Sequence, residues 1–215
     1  MTNRDQVLLV RNYFSNIGLW DHSIVLNPAG WLRNFDEVDQ HLAIALLDGF
    51  VYLNNEMTMK LFRAGIQRLG TREYDEGTIE AGETIWFNLL ERALFSFPST
   101  NPTDSGHMFV RRVRDDFEVH ESRILDLRGL VASLSAVSEP RPLILVDDFI
   151  GTGDQFLRRI KERWPTPTGD SSLLGEIERL GITELFYVVA VATGIAKDRI
   201  ESSSSFLVSA GNVLP

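Results

Sequence analysis

One stretch, residues 143–155 with the sequence LILVDDFIGTGDQ, constrains the fold more than any other part of the chain. Its first four residues are branched and apolar, and they follow the chain breaker Pro140-Arg141-Pro142. A short apolar run without alternation is typical of a strand buried on both faces of a parallel sheet. Asp147 and Asp148 come at the end of this predicted strand. Because open α/β sheets bind ligands beyond the carboxyl ends of their strands, we expect both aspartates at a ligand site.

The next residues predict a cradle for a phosphate group. Gly151, Thr152 and Gly153 form a loop that can turn its backbone N–H groups inward, and a predicted helix follows from Asp154. Backbone amides, a hydroxyl and a helix N-terminus together favour an anion. The structural alternative is that the loop and the two aspartates only form a turn between strand and helix.

The rest of the chain predicts an α/β fold with a mostly parallel sheet and an N-terminal helical lobe. Helical periodicity marks residues 5–17, 36–50, 55–69 and 81–92, so we expect a lobe over residues 1–93. Strands then alternate with helices over residues 94–215, the predicted α/β core. The predicted strands are residues 94–97, 124–127, 143–146, 185–192 and 206–208.

Two apolar sets are expected to be buried. The helix from Asp36 has an apolar stripe, and an aromatic set lies on each side of residue 90. The stripe consists of Val38, Leu42, Ala45, Leu46 and Phe50, and the aromatic set of Trp86, Phe87, Phe95 and Phe97.

Composition excludes several classes of protein. The chain has 21 Lys and Arg against 30 Asp and Glu, a net charge of −9, which disfavours a broad nucleic-acid surface. It has no cysteine, which removes disulfides, thiolate nucleophiles and cysteine-based metal sites. Its four histidines lack metal-binding spacing. No apolar run is long enough for a signal peptide or a membrane span, so we expect a cytoplasmic protein that does not bind membranes.

The central stretch resembles the phosphoribosyl-diphosphate-binding signature of type I phosphoribosyltransferases, matched from Leu143 to Gly153. Together with the NPTDSG loop at 101–106 and the segment WLRNFDEVDQHLAIALLDGFVY at 31–52, it is similar to the phosphoribosyltransferase-like proteins of bacterial conflict and defence gene islands, retron-type systems among them. This wider resemblance covers most of the chain. It implies a fold of phosphoribosyltransferase-like type and a ribose phosphate or nucleotide as ligand.

The resemblance also implies the site. Asp147 and Asp148 would be catalytic residues that meet the ribose 2- and 3-hydroxyls, and a magnesium ion would arrive with the diphosphate of the ligand. The family's diphosphate loop would correspond to residues 104–106. The implied ligand-binding residues are Gly151, Thr152, Gly153, Asp154, Gln155, Asp104, Ser105 and Gly106.

The chain departs from the family pattern in two places. Asp154 and Gln155 stand where the family has a small residue and then Thr or Ser. We expect Asp154 either to oppose a bound phosphate or to turn away and cap the helix. Only residues 128–142 are available for the mobile hood that covers the reacting ribose in this family.

Other functions stay open from the sequence. A non-catalytic sensor or docking module in a defence complex would keep the pocket and add a protein partner. The pattern Asp147-x-Phe149-x-Gly151-x-Gly153 also resembles the cofactor motif of S-adenosylmethionine-dependent adenine methyltransferases, but the Pro-Pro motif of those enzymes is absent. Ser105 suits helix capping as well as phosphate contact. The cluster Arg111, Arg112 and Arg114 either neutralises a diphosphate or forms a solvated helix face, and the chain itself is interpretable as one piece of a longer architecture.

Overall fold

The structure is a computed structural model that describes residues 3–20, 26–71, 79–99 and 105–215. It contains two compact units, Met1–Met57 and Thr58–Pro215. The second unit holds the sheet and therefore the predicted site.

The predicted helices and the predicted alternation with strands are present. Ten α-helices lie in the described residues: α1 Asn3–Asn16, α2 Pro28–Leu32, α3 Gln40–Asp48, α4 Asn55–Thr71, α5 Ile79–Arg92, α6 Ser105–Phe117, α7 Leu127–Ser135, α8 Asp154–Lys161, α9 Leu173–Leu180 and α10 Gly194–Ser203. The sequence did not predict α10, whose first turn is capped by the Thr193 hydroxyl accepting from the Ala196 N–H at 3.1 Å.

Four parallel strands form the main sheet and two short strands pair separately. The strands are β1 Leu94–Ser96, β2 Leu143–Ile150, β3 Arg163–Trp164, β4 Ser171–Ser172, β5 Leu185–Thr193 and β6 Leu207–Leu214. The main sheet has the order β1-β2-β5-β6 with every pair parallel, while β3 and β4 are antiparallel. The predicted α/β fold with a mostly parallel sheet is confirmed.

After β1, the chain first places a segment on one side of this strand and then adds β2 on its other side. The segment predicted as a strand at 124–127 makes only a single parallel bridge, between Phe95 and Ile124, with the Leu125 N–H donating to the Phe95 carbonyl at 2.9 Å. This segment therefore lies beside β1, while every later main-sheet strand is added on the β2 side. In parallel α/β sheets such a reversal opens a crevice at the carboxyl ends of the two strands, where ligands bind.

Helices cover both faces of the sheet. One face carries the largest buried apolar cluster, which joins Leu143, Leu145 and Tyr187 to residues of α7, α8, α9 and α10. Side chains alternate between the two faces of a sheet, so Ile144 and Val188 belong to the other face. Both are buried, and both lie outside that cluster. The Cβ that Gly65 of α4 lacks would lie 3.3 Å from Val188 Cγ1, so α4 packs against this second face.

Tight backbone packing joins α4 to β6. A Cβ on Gly211 would overlap the carbonyl of Leu61, so only glycine allows this approach. Nearby, the Ser209 hydroxyl donates to the Gly65 carbonyl at 2.7 Å, and Arg68 Nη1 donates to the Ala210 carbonyl at 2.5 Å. These contacts explain why the compact units divide between residues 57 and 58, whereas the sequence pattern placed the end of the helical lobe at residue 93.

The N-terminal unit, Met1–Met57, is held together around a buried arginine. Its core consists of Val7, Trp20, Leu32, Ala43 and Leu47. Arg11 is 8% exposed and its Nε donates to the Leu47 carbonyl at 2.9 Å, while its Nη2 donates to the Asp48 carbonyl. The guanidinium thus satisfies two carbonyls at the C-terminus of α3 that have no partner inside the helix.

Part of the predicted core lies on the surface. Val38, Leu42, Leu46 and Phe50, expected to be buried as a stripe, are 80%, 56%, 65% and 45% exposed. The helix α3 covers only Gln40–Asp48, so Val38 and Phe50 lie outside it. Within the helix, the face with the small Ala43 and with Leu47 is buried and packs on α1 and α2, which leaves Leu42 and Leu46 on the exposed side. Phe87 is 64% exposed, so the predicted aromatic core is wrong at this residue, whereas Phe95 and Phe97 of the same set are buried.

Candidate active site

Two adjacent aspartates mark the carboxyl end of β2. Asp147 Oδ1 accepts a hydrogen bond from the Asp148 N–H at 3.0 Å, and Asp148 Oδ1 accepts one from the Phe149 N–H at 2.7 Å. Each carboxylate is therefore fixed by the next backbone amide along the chain. Both side chains are partly buried and both line a cavity.

Asp147 is held in an unusual electrostatic environment. Tyr187 of β5 is 1% exposed and its hydroxyl donates to Asp147 Oδ2 at 3.1 Å. Burial raises the pKa of Asp147 to about 7, and the neighbouring charge of Asp148 adds to that rise. The hydrogen bond from Tyr187 acts in the opposite direction because it stabilises the carboxylate. Burial also raises the pKa of Tyr187, so this hydroxyl stays protonated and remains a donor.

The cavity beside the aspartates lies at the reversal of strand order. It has a volume of about 240 Å³, and its walls come from the ends of β1 and β2 and from the starts of α6 and α8. Its lining residues are Pro98, Ser99, Gly106, Asp147, Asp148, Phe149 and Gln155. Phe149 is 51% exposed, which leaves an aromatic ring facing solvent within an otherwise polar site.

The loop between β2 and α8 needs glycine at Gly153. Its φ is +77°, a left-handed conformation that other residues rarely adopt. A Cβ there would also lie 3.0 Å from Ile200 Cγ1 and 3.4 Å from the Ala196 carbonyl oxygen. The loop therefore rests directly against α10, and the Thr193 hydroxyl strengthens this packing by donating to the Gly151 carbonyl at 2.5 Å.

Asp154 is turned toward a cation. It is the first residue of α8, and Gly153 occupies the N-cap position. The predicted capping of this helix by the Asp154 side chain is therefore not observed. Asp154 Oδ1 instead lies 2.5 Å from Arg199 Nη2 of α10. Both side chains are exposed, at 59% for Asp154 and 48% for Arg199. The negative charge next to the loop is thus paired.

The predicted site residues fall into three groups. Asp147, Asp148, Gln155 and Gly106 line the same cavity. Gly151, Thr152, Gly153 and Asp154 form the adjoining loop and the first residue of α8, and the Asp154 N–H lies 3.4 Å from the Thr152 hydroxyl. Ser105 begins α6, and Asp104 lies outside the described residues.

Gly106 brings α6 close to β1. A Cβ at Gly106 would lie 2.9 Å from Phe97 Cβ, so a larger residue would push the start of α6 away from the end of β1. The cavity would change its shape because Gly106 forms part of its wall.

The arginine cluster on α6 does not reach this cavity. Arg111 and Arg114 line a second cavity of about 500 Å³ together with Phe97 and His107, and Arg114 Nε is 2.8 Å from Asp115 Oδ1. Although this second cavity is larger, it lacks the paired aspartates and the loop before a helix. The smaller cavity is therefore the candidate active site.

Sequence reasoning missed three residues that shape the site. Tyr187 was counted only as part of an apolar strand, although it is the one hydroxyl in the run from Leu185 to Ala192. Thr193 and Arg199 lie on or before a helix that the sequence did not predict. Their contacts with the loop join residues about forty positions apart, so no local sequence pattern predicts these contacts.

No resident metal centre is evident in the described parts of the chain. Among those residues there is no cluster of three or more side chains of the types that hold metal ions. The two aspartates fit a magnesium ion that takes most of its ligands from a diphosphate and from water, which is how this ion is commonly bound beside phosphates.

A parallel α/β sheet with a polar cavity at its reversal of strand order defines the broad class of ligand-binding α/β proteins. Within that class, the chain belongs to PRTase-CE, a phosphoribosyltransferase-like family whose model matches residues 28–214. No curated protein and no solved structure matched the chain. Within the described residues, the helices are too short or too polar to cross a membrane.

Proposed function

We propose that the protein binds a ribose phosphate, either phosphoribosyl diphosphate or a nucleotide, in the cavity at the end of β2. In this proposal the carboxylates of Asp147 and Asp148 accept hydrogen bonds from the ribose 2- and 3-hydroxyls. The loop Gly151, Thr152 and Gly153 receives the 5-phosphate. We assign contact with the diphosphate to Asp104, Ser105 and Gly106, of which Ser105 and Gly106 begin α6.

One observation supports the proposal most strongly. Asp147 and Asp148 line a polar cavity at the carboxyl end of β2, directly before a loop that leads into α8. Among the described residues, the segment that bridges through Ile124 lies on one side of β1 and β2 lies on the other, so the cavity is also beside the point where the order of the segments changes direction. Two carboxylate groups match two neighbouring hydroxyls, and the N-terminus of a helix favours an anion. Membership of a phosphoribosyltransferase-like family agrees with this combination.

A magnesium ion is expected to enter with a diphosphate ligand. Asp147 and Asp148 would hold this ion. When bound, the magnesium ion would neutralise the charge of the diphosphate.

If the protein turns its ligand over, the reaction takes place at ribose C1. A nitrogen of an acceptor base would form a bond to C1 while the bond from C1 to the diphosphate oxygen breaks, and diphosphate leaves with the electron pair. With a nucleotide, the oxygen of water would form a bond to C1 while the glycosidic bond breaks, the base leaves with the electron pair, and the proton lost by water goes to the departing base. Asp147 and Asp148 would position the ribose during either reaction.

The second candidate is a module that binds the ligand without turnover and acts as a sensor or docking partner in a defence complex. The observation that favours it is the segment 128–142, the predicted place for a hood. The helix α7, Leu127–Ser135, buries Leu127, Leu130, Val131 and Leu134 in the core, so this part of the segment is not free to close over a ribose. A role in bacterial defence, a protein partner and a cytoplasmic location stay predictions within this proposal.

A ligand panel tests the class of function. Thermal unfolding of the purified protein would be followed with phosphoribosyl diphosphate, AMP or S-adenosylmethionine, each with magnesium. The proposal predicts that Tm rises with at least one ribose phosphate and not with S-adenosylmethionine, because a ligand that binds only the folded state raises its stability. A rise with S-adenosylmethionine alone would instead support the methyltransferase alternative.

Product analysis separates the two ribose-phosphate candidates. The protein would be incubated with phosphoribosyl diphosphate and a mixture of nucleobases, or with nucleotides, and released diphosphate and free base would be measured. Release that is lost on Asp147→Asn with Asp148→Asn supports an enzyme. Binding without release supports the sensor.

A further inference from the structure

We infer that Arg199 on α10 is a positioning residue for the phosphate loop: it holds the carboxylate of Asp154 away and neutralises it, which permits an anion to bind there. The inference rests on the proposed function, since it concerns a phosphate at the loop Gly151 to Gly153. The ion pair of Asp154 with Arg199 would compensate for the carboxylate at position 154, where the family pattern has a small, uncharged residue.

The first step in the argument is the position of Asp154. It directly follows Gly153 and begins α8, so its carboxylate starts within a residue of the proposed phosphate position. An unpaired carboxylate at such a distance would weaken binding of a phosphate, because two negative charges repel even at the screened dielectric near a protein surface. A loop built for phosphate needs this charge to be cancelled or moved.

The second step is the ion pair itself. Asp154 Oδ1 lies 2.5 Å from Arg199 Nη2, so the two opposite charges are in direct contact as an ion pair. The pair draws the carboxylate toward α10. It also leaves the region around the loop with a balanced pair of charges instead of a single negative one.

The third step is that α10 is fixed against the loop, so Arg199 is held within reach. Gly153 packs on Ile200 and on the Ala196 carbonyl with no space for a Cβ, and the Thr193 hydroxyl donates to the Gly151 carbonyl. These contacts hold the helix backbone that carries Arg199. The guanidinium is therefore supplied by a rigid support and not by a distant, freely moving chain.

Stability does not account for the pair. Exposed ion pairs contribute little to folding, and this one is about half exposed on each side. Removing Arg199 is therefore expected to leave the fold intact, which makes the inference testable by substitution.

The experiment is a double-mutant cycle of charge-neutralising substitutions at Asp154 and Arg199, with phosphoribosyl diphosphate and magnesium as the probe in isothermal titration. Arg199→Gln alone exposes the carboxylate and is expected to weaken binding roughly tenfold, or about 1.4 kcal/mol. Asp154→Asn is expected to bind at least as tightly as the natural protein. The double variant should bind like Asp154→Asn, because no charge remains to be neutralised, and Arg199→Lys should retain most of the affinity.

A matched pair at the other end of the sheet serves as control. Arg92 and Glu184 are also exposed, with Arg92 Nη2 lying 3.5 Å from Glu184 Oε2. Arg92→Gln and Glu184→Gln are expected to leave the affinity unchanged. A loss of affinity in these variants would indicate a general charge effect and would overturn the assignment to Arg199.

The outcomes distinguish this inference from the proposed function. If the natural protein binds the probe and Arg199→Gln binds equally well, the inference alone is wrong. If the double variant is as weak as Arg199→Gln, Arg199 contacts the anion directly and does not act through Asp154, which also overturns it. If the natural protein binds neither phosphoribosyl diphosphate nor AMP, the proposed function fails and the inference fails with it.

Discussion

The hydroxyl of Tyr187 donates a hydrogen bond to Asp147 Oδ2 at 3.1 Å and joins β5 to the first aspartate of the site. Tyr187 pairs with Leu145 in the sheet register, two residues before Asp147, so the bond is a diagonal contact across neighbouring strands. Its ring stacks on Phe156 with centroids 4.1 Å apart, which fixes the direction of the hydroxyl. This hydroxyl, held by the core of the sheet, lowers the pKa of Asp147, which burial and the charge of Asp148 raise.

The raised pKa of Asp147 predicts a pH dependence of stability. The pKa is about 7 in the folded protein and near 4 in an unfolded chain, so the folded state binds the proton more tightly. The contribution of this group to the free energy of unfolding therefore falls as pH rises from about 4 to about 7 and is constant above that.

Asp147→Asn should remove this pH dependence because asparagine mimics the protonated acid. The free energy of unfolding of the natural protein should fall between pH 5 and pH 8, whereas that of the variant should not. We therefore expect the difference, variant minus natural protein, to increase by roughly 1–3 kcal/mol between these pH values. Urea unfolding of both proteins at the two pH values measures it. An equal difference at both values would show that the pKa of Asp147 is not raised.

Tyr187→Phe should raise the pKa of Asp147 further. The substitution removes a hydrogen bond that stabilises the carboxylate and keeps the ring that stacks on Phe156. We expect the titration midpoint of the Asp147 carboxyl carbon, followed by NMR, to shift upward by up to about one pH unit. Tyr52→Phe in the N-terminal unit is the control, and a downward shift in Tyr187→Phe would contradict the account.

Gly153→Ala should destabilise the protein for two separate reasons. The residue has a left-handed backbone, and a Cβ would press on Ile200 of α10. Gly181 has the same kind of backbone, with φ +63°, but nothing within 4 Å of its missing Cβ.

The comparison isolates the contact with α10. We expect a loss of about 1 kcal/mol for Gly181→Ala from backbone strain and about 2–3 kcal/mol for Gly153→Ala. Chemical denaturation measures both. Equal losses would mean that the loop does not rest on α10 as described.

Gly211→Ala tests the packing of α4 on the sheet. The new Cβ would overlap the Leu61 carbonyl, and backbone cannot move aside as a flexible side chain can. We expect a loss of more than about 3 kcal/mol in the free energy of unfolding, or failure to fold. Gly194→Ala is the control, since its Cβ would meet the Leu214 carbonyl oxygen at an ordinary 3.6 Å. A mild effect of Gly211→Ala would contradict the grouping of α4 with β6.

The sequence predicted those features that depend on local patterns. The buried strand β2 followed from four consecutive apolar residues, and the grouping of Asp147, Asp148 and the glycine loop followed from their position at its end. The apolar stripe was predicted wrongly for two reasons: Val38 and Phe50 lie outside α3, and packing against α1 and α2 buries the face of α3 with Ala43 and Leu47 instead of Leu42 and Leu46.

Contacts between distant segments were not predictable from the sequence. The bond from Tyr187 to Asp147 depends on the register of β2 and β5, and the pair of Asp154 with Arg199 depends on where α10 lies. Neither position is encoded by a spacing along the chain. The roles of Asp147, Asp148 and the loop in ligand binding stay predictions.

The central claim is that a ribose phosphate binds at the two aspartates, and one titration tests it most directly. Phosphoribosyl diphosphate with magnesium would be titrated by calorimetry into the natural protein and into the variant with Asp147→Asn and Asp148→Asn. Chemical unfolding curves of separate samples of both proteins show that the variant is folded. The account predicts saturable binding to the natural protein that falls at least about tenfold in the variant, or about 1.4 kcal/mol. Equal affinity in the two proteins would contradict it, because the ligand would then lie elsewhere.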